Sequence, residues 1–242
     1  MAPQNSPRLP IVLAHRGVSS EFPENTLEAF GAARFRGADG VELDVRVTAD
    51  GDLAVHHNPR LDDGRVIAQL TKSELPDEVP TLQAALEACE GLTVNIELKN
   101  LPGEPDFDPS SSIADLTVAI VNRLGLVANV IVSSFNLASL ERVRQLDPGF
   151  ATGWLVIDVG DLDAMLDRLV DGGHRAIHPP VGRTTAKLIG AAHDRGLQVN
   201  TWTVDDPIRI EQLAGDGVDA VITNVPDVAR DALLRWSAGS VG

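Results

Sequence analysis

Eight short β-rich runs, each followed by an amphipathic helical stretch, recur along the chain and leave few architectures open. The strand-like runs are IVLAH (11–15), GVELDV (40–45), TVNIEL (93–98), VIVSS (130–134), ATGWLV (151–156), RAIHP (175–179), LQVNTW (197–202) and DAVIT (219–223). Helical patterns follow at about 25–36, 81–90, 111–124, 137–146, 161–171, 184–195, 207–215 and 226–236. Such alternation implies parallel strands joined by crossover helices, and eight units close naturally into an α/β fold of the (β/α)8 TIM-barrel kind. The 242-residue length suits one such barrel, so a single domain spanning 1–242 is expected.

One interval breaks the rhythm. After GVELDVRV, the segment TADGD leads to LAVHH with too few residues for a crossover helix. Asp50-Gly51 between apolar alternations reads as a hairpin, returning a short strand antiparallel beside the second one. A turn-rich insertion fills 58–80, and the loop NLPGEPDFDPSSS separates the third barrel strand from its helix. Both follow strand C-terminal ends, the face on which barrel active sites are assembled, so both are expected to shape a substrate site.

Composition removes several classes of function. A net charge of −15 disfavours nucleic acid and anionic membrane surfaces as partners, while leaving room for a small phosphorylated molecule held by local cations. No apolar run is long enough for a membrane span, so no stable membrane insertion is expected. The opening MAPQNSPRLP lacks the apolar region of a secretory leader, and the expected compartment is cytoplasmic. The lone Cys89 cannot form an intramolecular disulfide and reads as core filler in a helix.

Polar residues gather where the barrel argument puts the active face. His15, Glu42, Asp44, Glu97, Lys99, Ser133 and Trp202 all fall at or near predicted strand C-termini. Glu42 and Asp44 are two apart on one strand, as are Glu97 and Lys99 at the end of another, so each pair shares a face. Three converging carboxylates suit a hard divalent cation bound through oxygen; interior salt bridges with Arg16 or Lys99 are the plainer alternative. Without a cation, burying all three would force protonation or strong repulsion. A histidine such as His15 can accept and donate protons near neutrality. Adjacent Arg16 suits a phosphate oxygen, and Gly17 lets the backbone turn close to a ligand. His56 and His57 point to opposite faces, so only one can join the site, and alternation alone leaves the choice open.

Other residues carry structural readings. Asn25 in PENTLEAF is a candidate helix N-cap paired with Glu28 in a capping box, with Leu27 and Phe30 facing the core and Glu24 bracing the site. Trp202 and Phe135 suit either the core or an apolar pocket wall. His178 is a more remote candidate, and His174 and His193 show no informative spacing to carboxylates.

Taken in order, HRG (15–17), PENTLEAF (23–30), GADGVELDVRVTADG (37–51), VHHN (55–58), IELK (96–99), SSF (133–135), VNTWTV (199–204) and GVDAVITNVPD (217–227) resemble the glycerophosphodiester phosphodiesterase family over nearly the whole chain. The resemblance implies that His15 and His57, rather than His56, are the catalytic acid/base pair. It further implies that Glu42, Asp44 and Glu97 bind one divalent cation, Mg²⁺ or Ca²⁺ with Mn²⁺ as a further candidate. Arg16 and Lys99 match phosphate-contacting positions, and Trp202 the aromatic of the late strand motif. The implied activity is metal-dependent hydrolysis of a glycerophosphodiester to sn-glycerol 3-phosphate and an alcohol. Its rivals are lysophospholipase-D-like or cyclising phosphodiester cleavage and, from another class, a non-catalytic barrel that binds phosphometabolites. The chain departs from the family at Asn58, where an Asp is usual. Its insertion at 58–80 is short, from which a shallow, open mouth is expected.

Overall fold

The computed structural model describes residues 8–239, so most of the MAPQNSPRLP stretch lies outside the described residues. Among the described residues nine strands are formed: β1 (Ile11–His15), β2 (Gly40–Val47), β3 (Leu53–Val55), β4 (Thr93–Leu98), β5 (Val130–Ser134), β6 (Ala151–Leu155), β7 (Ala176–His178), β8 (Gln198–Thr201) and β9 (Ala220–Thr223). Their order is β1-β9-β8-β7-β6-β5-β4-β2-β3, and a further β1–β2 pairing closes eight parallel strands into a barrel. β3 is the exception: it pairs antiparallel with β2, in the register Val45 to Val55 and Val47 to Leu53, and carries an isolated antiparallel bridge from Ala54 to Thr81 on its other edge. The eight-stranded parallel barrel and its extra hairpin strand are thus the architecture expected from the repeating pattern.

The α-helices form the outer ring: α1 (Leu27–Ala33), α2 (Leu82–Ala88), α3 (Ser112–Leu124), α4 (Leu137–Leu146), α5 (Leu162–Asp171), α6 (Ala186–His193), α7 (Pro207–Asp216) and α8 (Pro226–Gly239). Local sequence starts most of them. Side chains of Thr26, Thr81, Asn136, Asp161, Thr185 and Asp206 accept bonds from first-turn amides of α1, α2, α4, α5, α6 and α7, and Pro207 begins α7 where its missing N–H costs nothing. α1 begins later than expected because Thr26, not Asn25, is its cap. Asn25 adopts φ 60 and turns away, and Leu27 is 44% exposed rather than in the core.

Strand alternation separates two environments. Val12, Val41, Leu43, Val45, Val94, Ile96, Val132, Ile177, Val199 and Val221 pack outward in one cluster with Phe30, Leu140, Leu166, Leu213 and Leu233 of the helices. The large outer core is the main apolar burial, and Cys89 belongs to it. Inside the barrel, Leu13, Ala220 and Ile222 cluster with Ile11 and Trp202, while much of the remaining lining is polar. Gly153 shows how tightly that interior is filled. A Cβ there would lie 2.2 Å from Nε2 of His178, whose fully buried ring occupies the space.

The insertion at 58–80 folds into two single 3-10 turns, Ile67–Gln69 and Lys72–Glu74, with an isolated bridge between Arg60 and Val66. Leu61, Ile67 and Leu70 make a satellite core with Ala54 of β3, supported by Leu75 and Val79. It packs against the hairpin from outside, steadying β3 at the rim.

Candidate active site

The site grows from three neighbouring strands. β1 and β2 pair His15 with Glu42, and β2 and β4 pair Glu42 with Asn95 and Asp44 with Glu97. Parallel register therefore places an imidazole, three carboxylates and an amide at one end of the barrel. The β2–β3 hairpin delivers His57 to the same rim. A cavity of about 150 Å³ is lined by His15, Arg16, Glu42, His57, Asn95, Glu97, Lys99, Phe135, Leu155, Trp202 and Ile222, with none of the insertion residues 59–80 among them. His56 turns away, its Nδ1 bonded to the Asn58 carbonyl, and instead lines a neighbouring groove of about 890 Å³ between the insertion and the start of α1.

Strained backbone shapes the floor. Arg16 has φ 56 and Gly17 φ 81, and a Cβ on Gly17 would sit 2.6 Å from that of Ala29, so only glycine fits beside α1. The turn aims the Arg16 amide at Glu42 Oε2, 3.1 Å away. Its guanidinium reaches Glu24 at 2.8 Å and Asp44 at 3.3 Å, giving Glu24 the bracing role expected of it. Asn25, also left-handed, donates from Nδ2 to Asp44 at 2.9 Å and accepts the Asp44 amide at 3.3 Å. The capping box expected between Asn25 and Glu28 is thus replaced by a tie to the acidic cluster. Lys99 Nζ lies 2.8 Å from Glu97 and 3.5 Å from Asp44.

One oxygen from each of Glu42, Asp44 and Glu97 lies within 4.8 Å of the others, and all three residues are buried. Burial, reinforced by Asp44 and Glu97, holds the Glu42 carboxyl well above its ordinary range. Burial and the Asp44 charge push Glu97 up to about 7, against the pull of Lys99. Burial also works against ionised Asp44, but Lys99 and Arg16 outweigh it and hold this carboxyl below its usual value. Two cations thus compensate three acids incompletely, and the surplus falls on Glu42 and Glu97. Asn95 Oδ1 is buried without a hydrogen bond, and buried Asp44 Oδ1 has only its 3.5 Å ion pair with Lys99. Two raised carboxyls, under-satisfied buried oxygens and an all-oxygen donor set fit one hard divalent cation.

Each histidine is oriented by a neutral amide. Asn224, on the loop after β9, donates from Nδ2 to Asp205 at 2.7 Å, which turns its Oδ1 toward Nδ1 of His15 at 2.7 Å. Nδ1 of His15 therefore carries the proton, and Nε2 faces the cluster 3.9 Å from Glu42 Oε2. Asn58 Oδ1 accepts from Nδ1 of His57 at 2.9 Å. Burial lowers both imidazoles below their ordinary value. Opposite them, Phe135 and Trp202 meet edge to face with centroids 5.6 Å apart, and the indole donates to the His178 carbonyl at 2.8 Å. His178 itself lies below the cavity, with Nε2 held by Asn200 at 2.9 Å. His193 does have a carboxylate partner, Asp219 at 2.8 Å, well outside the cavity's lining.

The eight residues given roles at the site are brought together, with Asp44 just below the cavity's lining residues, whereas Ser133, also expected at the active face, is fully buried and does not line the cavity. Sequence reading missed Asn95, Asn224 and Asp205. Strand alternation contained the signal for Asn95, two residues before Glu97 on the same face. Asn224 and Asp205 sit on loops after β9 and β8, where no periodicity constrains orientation.

The family model for the glycerophosphoryl diester phosphodiesterase family matches residues 15–228. The chain belongs to this family. Its relatives include a glycerophosphodiester phosphodiesterase of Caldanaerobacter subterraneus subsp. tengcongensis, 30% identical over 239 residues and covering 90% of this chain and 95% of the relative. Among solved structures, an Oleispira antarctica phosphodiesterase in complex with the product sn-glycerol-3-phosphate superposes with a TM-score of 0.83 at 25% identity, covering 93% of this chain and 97% of that one. A glycerophosphodiester phosphodiesterase from Thermotoga maritima gives 0.76 at 28% identity, covering 91% and 97%. Family and fold therefore agree over the segment that carries every site residue.

Proposed function

We propose that this chain hydrolyses glycerophosphodiesters to sn-glycerol 3-phosphate and an alcohol, using His15 and His57 for proton transfer at a divalent-cation site. The observation that carries the reading is one cavity lined by two oriented imidazoles and by Glu42 and Glu97, with Asp44 completing the buried carboxylate cluster beneath them. Glu42, Asp44 and Glu97 would hold one Mg²⁺ or Ca²⁺, with Mn²⁺ a further candidate, and that ion would supply Lewis-acid stabilisation of the phosphoryl charge.

The remaining roles follow from the chain's own atoms. Arg16 and Lys99 offer N–H donors to the non-bridging phosphate oxygens and spread the charge that grows as the P–O bond breaks. His15, with Nδ1–H held by Asn224, presents a bare Nε2 toward the cluster. His57, with Nδ1 held by Asn58, is likewise free to exchange a proton at Nε2. One imidazole takes the proton of the attacking hydroxyl and the other returns one to the departing alkoxide. The attacking hydroxyl is that of water or of the substrate's own glycerol, which passes through a cyclic phosphate. Trp202 and Phe135 supply an apolar wall against the glycerol carbons.

The test is release of glycerol 3-phosphate from glycerophosphocholine, -ethanolamine, -glycerol and -inositol, with chelator and with Mg²⁺, Ca²⁺ or Mn²⁺ restored. Turnover lost on chelation and regained with one of these ions is expected. His15→Ala and His57→Ala should each lower it by about a hundred- to ten-thousandfold while metal binding persists. Binding of glycerol 3-phosphate without cleavage of any diester, under any ion, would replace this reading with a phosphometabolite-binding barrel.

A further inference from the structure

Arg46 has the largest side chain among the fully buried residues, at 1% exposure, and the chemistry above makes no use of it. It sits on β2 two residues after Asp44, facing Ala54 of the hairpin strand. Its guanidinium spends two donors on one acceptor: Nε and Nη2 reach the His57 carbonyl oxygen at 2.9 and 2.6 Å. Nη1 points the other way, to Glu104 at 3.0 Å and Asp106 at 2.6 Å, both on the loop between β4 and α3. The Asp106 side chain is 3% exposed. A buried cation is thus fully committed between one backbone carbonyl and two loop carboxylates.

The carbonyl it grips belongs to the peptide joining His57 to Asn58. That peptide has the imidazole on one side and, on the other, the amide whose Oδ1 holds Nδ1 of the same ring. Fixing the plane of this peptide fixes both the Cα–Cβ direction of His57 and the position of its orienting acceptor. Charge-assisted bonds in a buried setting are stiff, and a paired fork on one oxygen resists rotation better than one bond.

Resting on the phosphodiesterase reading above, we propose that Arg46 is a positioning residue for His57, locking this histidine to the β4–α3 loop in the geometry needed for proton transfer. The loop then contributes to turnover through Glu104 and Asp106, although neither lines the cavity. A purely structural ion pair would have other consequences: lower stability with turnover per folded molecule unchanged.

The experiment uses the full chain with Mg²⁺ and follows glycerol 3-phosphate release by Arg46→Gln, Arg46→Lys and the double variant Arg46→Gln/Asp106→Asn. The double variant removes the carboxylate that would otherwise be buried without its cation, and so protects folding. Misplacement of a catalytic group by about an ångström costs on the order of a hundredfold, so Arg46→Gln should lower kcat by about ten- to a hundredfold. KM and Mn²⁺ affinity by calorimetry should stay within about twofold, since ground-state binding groups are untouched. Arg46→Lys, which keeps the charge but not the fork, should fall between. The double variant should recover melting temperature without recovering kcat. In a His57→Gln background, Arg46→Gln should add less than about twofold to the loss, because the two changes remove the same contribution. Unchanged kcat, recovery of kcat together with stability in the double variant, or a full additional loss in the His57→Gln background would each overturn the assignment. No turnover by the unaltered chain would instead overturn the phosphodiesterase reading, and this inference with it.

Discussion

Nδ1 of His15 and Oδ1 of Asn224 lie 2.7 Å apart although 209 positions separate them in the chain. The contact spans the closure of the barrel, where β1 pairs with β9, so the first strand's histidine is set by the last strand's loop. Asn224→Ala should therefore free the His15 ring to rotate and change tautomer. Loss of such an orienting partner typically costs ten- to a hundredfold, and kcat should fall by about that factor while the melting temperature changes little. Steady-state kinetics beside thermal unfolding separates the two quantities.

Asn58 offers His57 an acceptor without charge. Burial lowers the His57 pKa, and Asn58→Asp would place a carboxylate where the amide oxygen sits, favouring the imidazolium. The His57 pKa should rise in the variant, read from its ring-proton titration by NMR in the metal-free protein. An unmoved titration would mean that Nδ1 does not face residue 58 in solution.

Cation binding should be linked to proton release. Glu97 is held at about 7 and Glu42 is shifted in the same direction, so each keeps its proton to higher pH than an ordinary carboxyl and must give it up to ligate a cation. Affinity for Mg²⁺ or Mn²⁺ should rise as pH increases through 7. Calorimetry in buffers of different ionisation enthalpy should detect the protons released. Glu97→Gln removes one anionic ligand and should weaken Mn²⁺ binding by about tenfold or more.

His178 supplies an acid-sensitive element within the barrel. Burial takes its pKa down to about 3 from 6.5, so the unfolded chain binds the proton more readily than the folded one. Its contribution to stability is complete above about pH 6.5 and is lost as pH falls, by about 1.4 kcal/mol per pH unit until the folded value is reached. Glu42 and Glu97 act with the opposite sign, because their raised values make the folded state bind protons more readily. Comparing urea unfolding of His178→Gln with the parent at pH 7, 6 and 5 removes these shared contributions. The parent should lose more stability over that interval than the variant.

The repeating strand and helix pattern made the barrel legible, and two-residue spacing exposed Glu42 with Asp44 and Glu97 with Lys99. Periodicity reports which face a residue occupies, and in parallel strands that fixes most of an active end. It does not report loop conformation. Asn25 looked like a cap because PENT has the composition of one; in the fold Asp44 competes for its amide, and Thr26 accepts the first-turn amide instead. Leu27 followed Asn25 in error, since moving the helix start rotates the residues assigned to its inner face. The choice between His56 and His57 rested on resemblance, because a one-residue slip in a short ribbon exchanges its faces. Arg46 was invisible as more than a strand residue because its partners lie in a loop without periodicity.

The antiparallel strand β3 stands outside the closed ring, held by β2 along one edge and by Pro80 and Thr81, through a single bridge, along the other. Fraying of that ribbon would leave all eight parallel strands and the three carboxylates in place, yet remove one of the two imidazoles. The molecule would then possess a folded, cation-competent resting form lacking half of its proton-transfer apparatus. Turnover would then report on the opening of this one ribbon rather than on global unfolding, and amide exchange at Leu53–Val55 would track activity more closely than exchange anywhere in the ring.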